Sequence, residues 1–182
     1  MNPESLWAPW RLAYIKGEDP PAPVSGSLRW LPGADESCFI CRAVAEARDR
    51  ENLLVHRGRE VIAILNRYPY NNGHLLIAPR LHKAALEQLS DGEHLEGQQA
   101  ITRFVGLLQR LMNAEGFNIG LNLGRLAGAG LPGHVHWHIV PRWHGDTNFM
   151  PVVAGTKVIP QALDCLWELL HEAVDYRMPN VE

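Results

Sequence analysis

A chain of 182 residues with 46% hydrophobic side chains can fill the core of one ordinary domain of ~100–150 residues, and is short for two. Its formal net charge of −3 excludes a global basic field, so nucleic acid is not the expected partner, although a local basic pocket for a small anion stays open. No apolar run approaches the ~20 residues that cross a bilayer, so no membrane partner is expected.

In chain order, residues 1–37 read as an arm and a loop, residues 38–142 as a core, and residues 143–182 as a C-terminal extension with a helix. The opening "MNPESLWAPWRLAYIKGEDP" mixes acid, base and tryptophan without an apolar run. It does not read as an export signal, and the expected location is the cytoplasm. Its tryptophans and tyrosine are too apolar for a free tail and should dock on something. Residues 17–36, rich in Pro, Gly, Ser and acid, read as a loop. "CFICRAVAEARDR" reads as a short helix, and "ENLLVHRG" with "EVIAILN" as a hairpin of aliphatic strands. "YPYNNG" carries turn signals, and "HLLIAP" follows as a third strand.

From Ser90 to Glu115, Ile101, Phe104, Val105, Leu108, Leu111 and Met112 recur at helical spacing. Ser90 with Glu93 fits a capping box at the start, and Gly116 fits a stop. "FNIGLNLG" reads as a strand, "RLAGAGLPG" as a glycine-rich loop, "HVHWHIVPRW" as a strand, and "IPQALDCLWELLHEAV" as an amphipathic closing helix. Short connections favour an antiparallel sheet of about five strands carrying a long helix and a C-terminal helix, an α+β fold. Three cysteines, Cys38, Cys41 and Cys165, in a chain without an export signal suggest reduced thiols. His56, His94 and His171 stand alone and read as surface residues, as do Arg142 and His144, which flank the end of the last strand.

The chemistry gathers at residues 133–143, "GHVHWHIVPRW". In a strand, positions i, i+2 and i+4 share one face. His134, His136 and His138 therefore stand together, with Val135, Trp137 and Ile139 turned to the core, so the imidazoles are not expected to be packing residues. Three readings compete: a metal site, since His-x-His is common among ligands; a nucleophilic imidazole flanked by two helpers; or a polar face in solvent. The preceding loop, with Gly128 and Gly130 among its four glycines, brings backbone N–H groups close to an anion and disfavours the third. The Cys38-x-x-Cys41 pair is a redox dithiol, half a metal site, or chance. The thioredoxin-like context that the redox reading needs is missing.

"HVHWHIV", "LNRYPYNNGHLLIAPRLH" and "GLNLG", in that setting, resemble the histidine-triad nucleotide-binding superfamily over roughly residues 38–142. "LWAPWR" and "GDTNFMPVVAGTKVIPQ" further resemble its bacterial branch related to diadenosine tetraphosphate phosphorylases. The resemblance implies an antiparallel α+β domain that forms a homodimer. It also implies a site for an adenine nucleotide or dinucleoside polyphosphate. Carried over residue by residue, it makes His136 the nucleophile toward the α-phosphorus, leaving a nucleotidyl-histidine that water or phosphate discharges. His138 would help with charge or a proton, and His74 lies beside the triad. Asn66 would bond the ribose hydroxyls, Asn122 would face the phosphates, and Gly128 and Gly130 would line the nucleotide. Asn66 as a turn residue and Asn122 as a strand end are the plainer alternatives.

The chain departs from the common pattern in one place. "AGAGLPG" offers no amide or hydroxyl for the leaving group, whose proton must then come from His138, a backbone group or a water. In a subset of the superfamily a Cys-x-x-Cys joins two histidines around a structural zinc. The matching set here is Cys38, Cys41, His82 and His134, a closed Cys₂His₂ shell. A nucleotide-binding regulatory protein with negligible turnover is the rival of the enzyme. A metalloenzyme with His134, His136 and His138 on one ion is a third reading, and it leaves Cys38, Cys41 and His82 unexplained.

Overall fold

The computed structural model describes residues 28–146, 159 and 161–175. The tryptophan-bearing arm before residue 28 and most of the stretch 145–161 lie outside them. The elements run α1 (Phe39–Ala45), β1 (Leu54–Arg57), β2 (Val61–Leu65), β3 (Leu75–Pro79), α2 (Asp91–Met112), β4 (Gly116–Leu121), β5 (Trp137–Arg142) and α3 (Leu163–Asp175). The five strands form one antiparallel sheet in the order β1-β2-β3-β5-β4, the expected α+β fold.

Both middle strands, "VIAIL" and "LLIAP", are buried along their whole length. That is why their sequences are continuous apolar runs without alternation. Residues in register across the sheet share a face. Ile64, Leu76, His138 and Gly120 make one cross-strand row. The neighbouring row, Ala63, Ile77, Trp137 and Leu121, meets the long helix, where the Trp137 ring passes over Gly97. Phe104 and Leu108 of α2, and Leu166 and Leu170 of α3, are fully buried in the same core.

The start of α2 is as the sequence predicts. The Ser90 hydroxyl accepts the Glu93 N–H at 3.2 Å, and Glu93 Oε2 accepts the Ser90 N–H at 2.7 Å. Its end differs. Asn113 adopts the left-handed conformation (φ 51, ψ 41) as C-cap, a geometry that Asn tolerates. Gly116 does not stop the helix; it opens β4 opposite Arg142.

The triad strand is shorter than expected. β5 begins at Trp137, so His134 and His136 approach the sheet without pairing in it. All three positions around them are buried: His134 is 1% exposed, Val135 4% and His136 7%. His138 is half-buried, and burial of the other two does not make them packing residues, since His134 faces the cysteines and His136 borders a cleft.

Two isolated histidines also differ from their surface assignment. His171 stacks on Trp167 at 4.4 Å and its Nδ1 lies 3.2 Å from the Val55 carbonyl, docking α3 on β1. His56 is half-buried 6.4 Å from the Phe104 ring. His94 and His144 are exposed as expected. Arg142 is exposed and forks onto Asp146 at 2.6 and 3.0 Å.

Candidate functional site

The turn "YPYNNGH" delivers His74 to the start of β3. Gly73 is needed there twice over. Its φ of +73° suits glycine, and a Cβ would come within 3.1–3.2 Å of Met112, Leu108 and Pro141. Asn71 donates to the Pro141 carbonyl at 3.0 Å and to Asp146 at 2.8 Å, tying the turn to the end of β5. His74 is 1% exposed and meets His138 across the β3–β5 ladder.

The hydrogen bonds fix which ring nitrogens carry protons. The backbone N–H of Tyr70 can only donate, and it reaches His74 Nδ1 at 3.0 Å. In the neutral ring the His74 proton is then on Nε2, which lies 2.9 Å from His138 Nδ1 and donates to it. His138 consequently carries its own proton on Nε2, 3.4 Å from the Asn122 amide, whose oxygen can accept it after a half-turn. The Tyr70 ring stacks on His74 at 4.7 Å and holds the pair in place.

His136 obeys the same logic with the opposite result. Its Nδ1 lies 2.7 Å from the His134 carbonyl, an acceptor only, so Nδ1 bears the proton. The lone pair is left on Nε2. The His136 and His138 rings sit edge-on at 5.0 Å. Neighbouring rings thus carry an unprotonated Nε2 in one and an Nε2–H in the other.

Both rings line a cleft of about 600 Å³. Its apolar wall is Phe39, Leu53, Ile64, Leu65 and Leu76, with Arg42, Glu46 and Asn52 beyond. Asn66, Asn122, Gly128 and Gly130 line it too, so every residue assigned to the nucleotide from the sequence borders one cleft. Their roles there are not alike. Asn66 closes an Asx turn, its Oδ1 accepting the Tyr68 N–H at 2.9 Å while Nδ2 reaches His74 Nδ1 at 3.3 Å. Asn122 follows directly on β4. The Gly128 N–H is committed to the Arg125 carbonyl at 3.0 Å, so Gly128 contributes a left-handed turn (φ +86°) and bare backbone instead of a donor.

A second cluster lies behind the triad. Nδ1 of His134 is 3.3 Å from Cys38 Sγ and 3.6 Å from Cys41 Sγ, and His82 Nδ1 is 3.2 Å from Cys41 Sγ. The four donor atoms fall within 4.8 Å of one another. Nε2–H of His134 donates to the Pro79 carbonyl at 2.9 Å, which turns the Nδ1 lone pair toward the sulfurs. Burial pushes the Cys38 thiol up to about 12. It also holds His134 down to about 4, against the Pro79 carbonyl that favours its charged form. Two cysteine sulfurs and two imidazole nitrogens converging in this way form a set that could hold a metal ion, which would favour the Cys38 thiolate that burial disfavours. His134 belongs to this cluster and not to the cleft, so a three-histidine metal site does not fit.

Several site residues carried no signal in the sequence. Tyr70 is four residues before His74 in a turn that reads only as a turn. Phe39 and Arg42 reach the cleft because α1 lies along it. Glu93, read as a cap, is 3% exposed and also pairs with Lys83 Nζ at 2.6 Å. Lys83 follows His82, and its carbonyl accepts the Val135 N–H at 2.7 Å, so this ion pair braces the triad segment against α2.

Comparison with known proteins gives the same picture from outside. The HIT domain family matches residues 48–145. An AP-4-A phosphorylase of Mycobacterium tuberculosis is 39% identical over 161 residues, 88% of this chain and 78% of the relative. An adenosine 5'-monophosphoramidase of Schizosaccharomyces pombe is 33% identical over 132 residues, 72% of this chain and 94% of the relative. A Zn-bound histidine triad family protein from Mycobacterium smegmatis shares the fold, with a TM-score of 0.60 and 24% identity over 76% of this chain and 94% of that one.

One pH dependence follows from the brace. Burial raises the Glu93 pKa, but the bonds from Lys83 and Ser90 outweigh it and hold the carboxyl below its ordinary 4.5. A depressed folded value means that the carboxylate stabilises fully above about 4.5 and that this contribution is lost as pH falls through the lower folded value. Glu93→Gln is expected to cost roughly 2 kcal/mol at pH 7, with the urea-unfolding curves of variant and wild type converging on acidification. Parallel curves at every pH would show that Glu93 is not ionised in the folded chain.

Proposed function

The chain belongs to the histidine-triad (HIT domain) family, and on that premise we propose that it is a nucleotidyl hydrolase or transferase acting on adenine nucleotides. Diadenosine polyphosphates are the leading substrates. The carrying observation is the pairing of tautomers: a lone pair on His136 Nε2 beside an N–H on His138. The names of the phosphorylase and phosphoramidase relatives support the substrate class.

In this reading His136 Nε2 attacks the α-phosphorus as the bond to the leaving oxygen breaks. The imidazole becomes a cation on forming the P–N bond. The His134 carbonyl, already 2.7 Å from Nδ1–H, is in place to stabilise that charge. As charge develops on the leaving oxygen, it accepts a hydrogen bond from the Nε2–H of His138, and solvent water supplies any proton that the released group finally carries. That assignment supplies the donor that the glycine loop lacks, and the Tyr70–His74 relay keeps the proton on the correct nitrogen. Water or inorganic phosphate then attacks the phosphoramidate and returns His136. The apolar wall from Phe39 to Leu76 suits a purine, with Asn66 toward the ribose and Asn122 toward the phosphates. β4 is one of the two outer strands of the sheet and exposes Ile119, which supports a homodimer formed through that edge.

For the second cluster the proposed ion is a structural zinc. Zn–S of about 2.3 Å and Zn–N of about 2.0 Å in a tetrahedron require S–N edges of about 3.5 Å. The Cys–His separations of 3.2–3.6 Å fit that requirement. One zinc per chain is expected by elemental analysis of purified protein, and Cys41→Ala should lose it together with thermal stability. Purified chain without metal would remove this assignment.

The mechanism is tested by His136→Asn, which should abolish turnover of diadenosine tetraphosphate while leaving AMP binding within a few-fold, because an amide cannot form the phosphoramidate. His138→Ala should retain the covalent route and slow it by ~10²–10⁴, least for substrates whose leaving group carries its charge most easily. Rapid quench should trap an acid-labile adduct on His136. Products of wild type with and without phosphate assign the acceptor: ADP plus ATP for phosphate, AMP-containing products for water. Near wild-type turnover by His136→Asn, or an adduct on another residue, contradicts the reading. AMP binding with no turnover by wild type would favour a regulatory binder.

A further inference from the structure

The backbone that places His136 is outside the sheet. Between Gly133 and His136, the described backbone bonds are Val135 N–H to the Lys83 carbonyl at 2.7 Å and a long contact from His134 N–H to the Leu131 carbonyl at 3.5 Å. The side chain of His134 adds anchorage, through Pro79 on one nitrogen and the thiols on the other. The donor cluster therefore holds the segment that the ladder does not.

Three connections lead from that cluster to the cleft. His134 offers Nδ1 to the sulfurs and its own carbonyl to His136 Nδ1–H. His82 stands next to Lys83, whose carbonyl holds Val135. Gly133 passes so near the His82 ring that a Cβ would lie 3.4 Å from Nε2. Cys38 caps α1 and Cys41 lies inside it, while Phe39 and Arg42 of that same helical turn border the cleft. The cluster joins α1 to residues 133–136, and both pieces border the cleft, through Phe39 and Arg42 on one side and His136 on the other.

We propose that cation binding at Cys38, Cys41, His82 and His134 is energetically coupled to nucleotide binding in the cleft, each raising the affinity of the other. The proposal rests on the nucleotide reading above. Its physical basis is a shared ordering cost: whichever ligand binds first fixes α1 and the triad segment, and the second meets them already placed. Linkage makes the effect reciprocal, by one and the same factor. The cluster is then a control on the cleft as well as a staple in the fold.

The test uses AMP as the nucleotide and zinc as the metal. Calorimetry first establishes AMP binding to the metal-loaded protein. Partition of zinc between protein and a chromogenic chelator, with and without saturating AMP, is expected to show zinc affinity raised about tenfold, within the 5–150-fold usual for such coupling. AMP affinity should fall by the same factor after metal removal. An unchanged partition with AMP bound overturns the coupling and leaves the nucleotide reading intact. Failure of AMP to bind the metal-loaded protein sinks the nucleotide reading, and the coupling with it.

Metal removal can unfold the chain, which would itself link the two ligands, so a second measurement keeps the metal in place. Cobalt in the four-ligand shell gives visible ligand-field bands. These are expected to shift on addition of AMP, and bands that do not move at saturation overturn the proposal.

Discussion

A single hydrogen bond organises the site: Nδ1–H of His136 to the carbonyl of His134, at 2.7 Å. An imidazole in water exchanges its proton between two nitrogens and presents a lone pair on either. A buried ring with an acceptor-only partner does not. By spending Nδ1 on a carbonyl, the chain commits Nε2 to the cleft as a lone pair. Much of the surrounding architecture keeps that carbonyl where it is. Pro79 ends β3 beneath His134, Lys83 holds Val135, and Glu93 ties Lys83 to the first turn of α2.

His134 and His138 divide the remaining work according to which side of His136 they occupy. His134, 1% exposed, turns its ring to the thiols and its carbonyl to His136. His138 stands in the sheet between Leu76 and Gly120, where ladder pairing fixes its position and His74 fixes its proton. In the proposed reading, three histidines at alternate positions thus serve three ends: a donor atom for a cation, a nucleophilic lone pair, and an N–H. The cleft gains its apolar wall from the row that carries His138, since Ile64 and Leu76 lie beside it in register.

The fold was legible because its signals are local and periodic. Aliphatic runs of strand length gave β2 and β3, helical spacing from Ile101 to Met112 gave α2, and Ser90 with Glu93 marked its start. The errors have local causes too. Asn113 takes the left-handed cap that was assigned to Gly116, because Asn tolerates that conformation and leaves Gly116 free to open β4. The triad alternates as a strand does, yet alternation reports side-chain direction and not ladder pairing, so the entry of β5 at Trp137 was hidden. His171 and His56 looked isolated because their partners, Val55 and Phe104, are distant in sequence. At the site, residue types announced the histidines and cysteines. Tyr70 acts partly through its backbone N–H, which every residue but proline possesses, and its ring meets His74 only once the turn between them has folded.

Long-range proton–nitrogen NMR of the imidazoles reads the tautomers directly. In metal-loaded protein near neutral pH, His136 is expected to show a protonated Nδ1 and a bare Nε2. His138 and His74 should show the reverse, with Nε2 protonated. A proton on Nε2 of His136 would leave no lone pair facing the cleft and would contradict its role as the nucleophile.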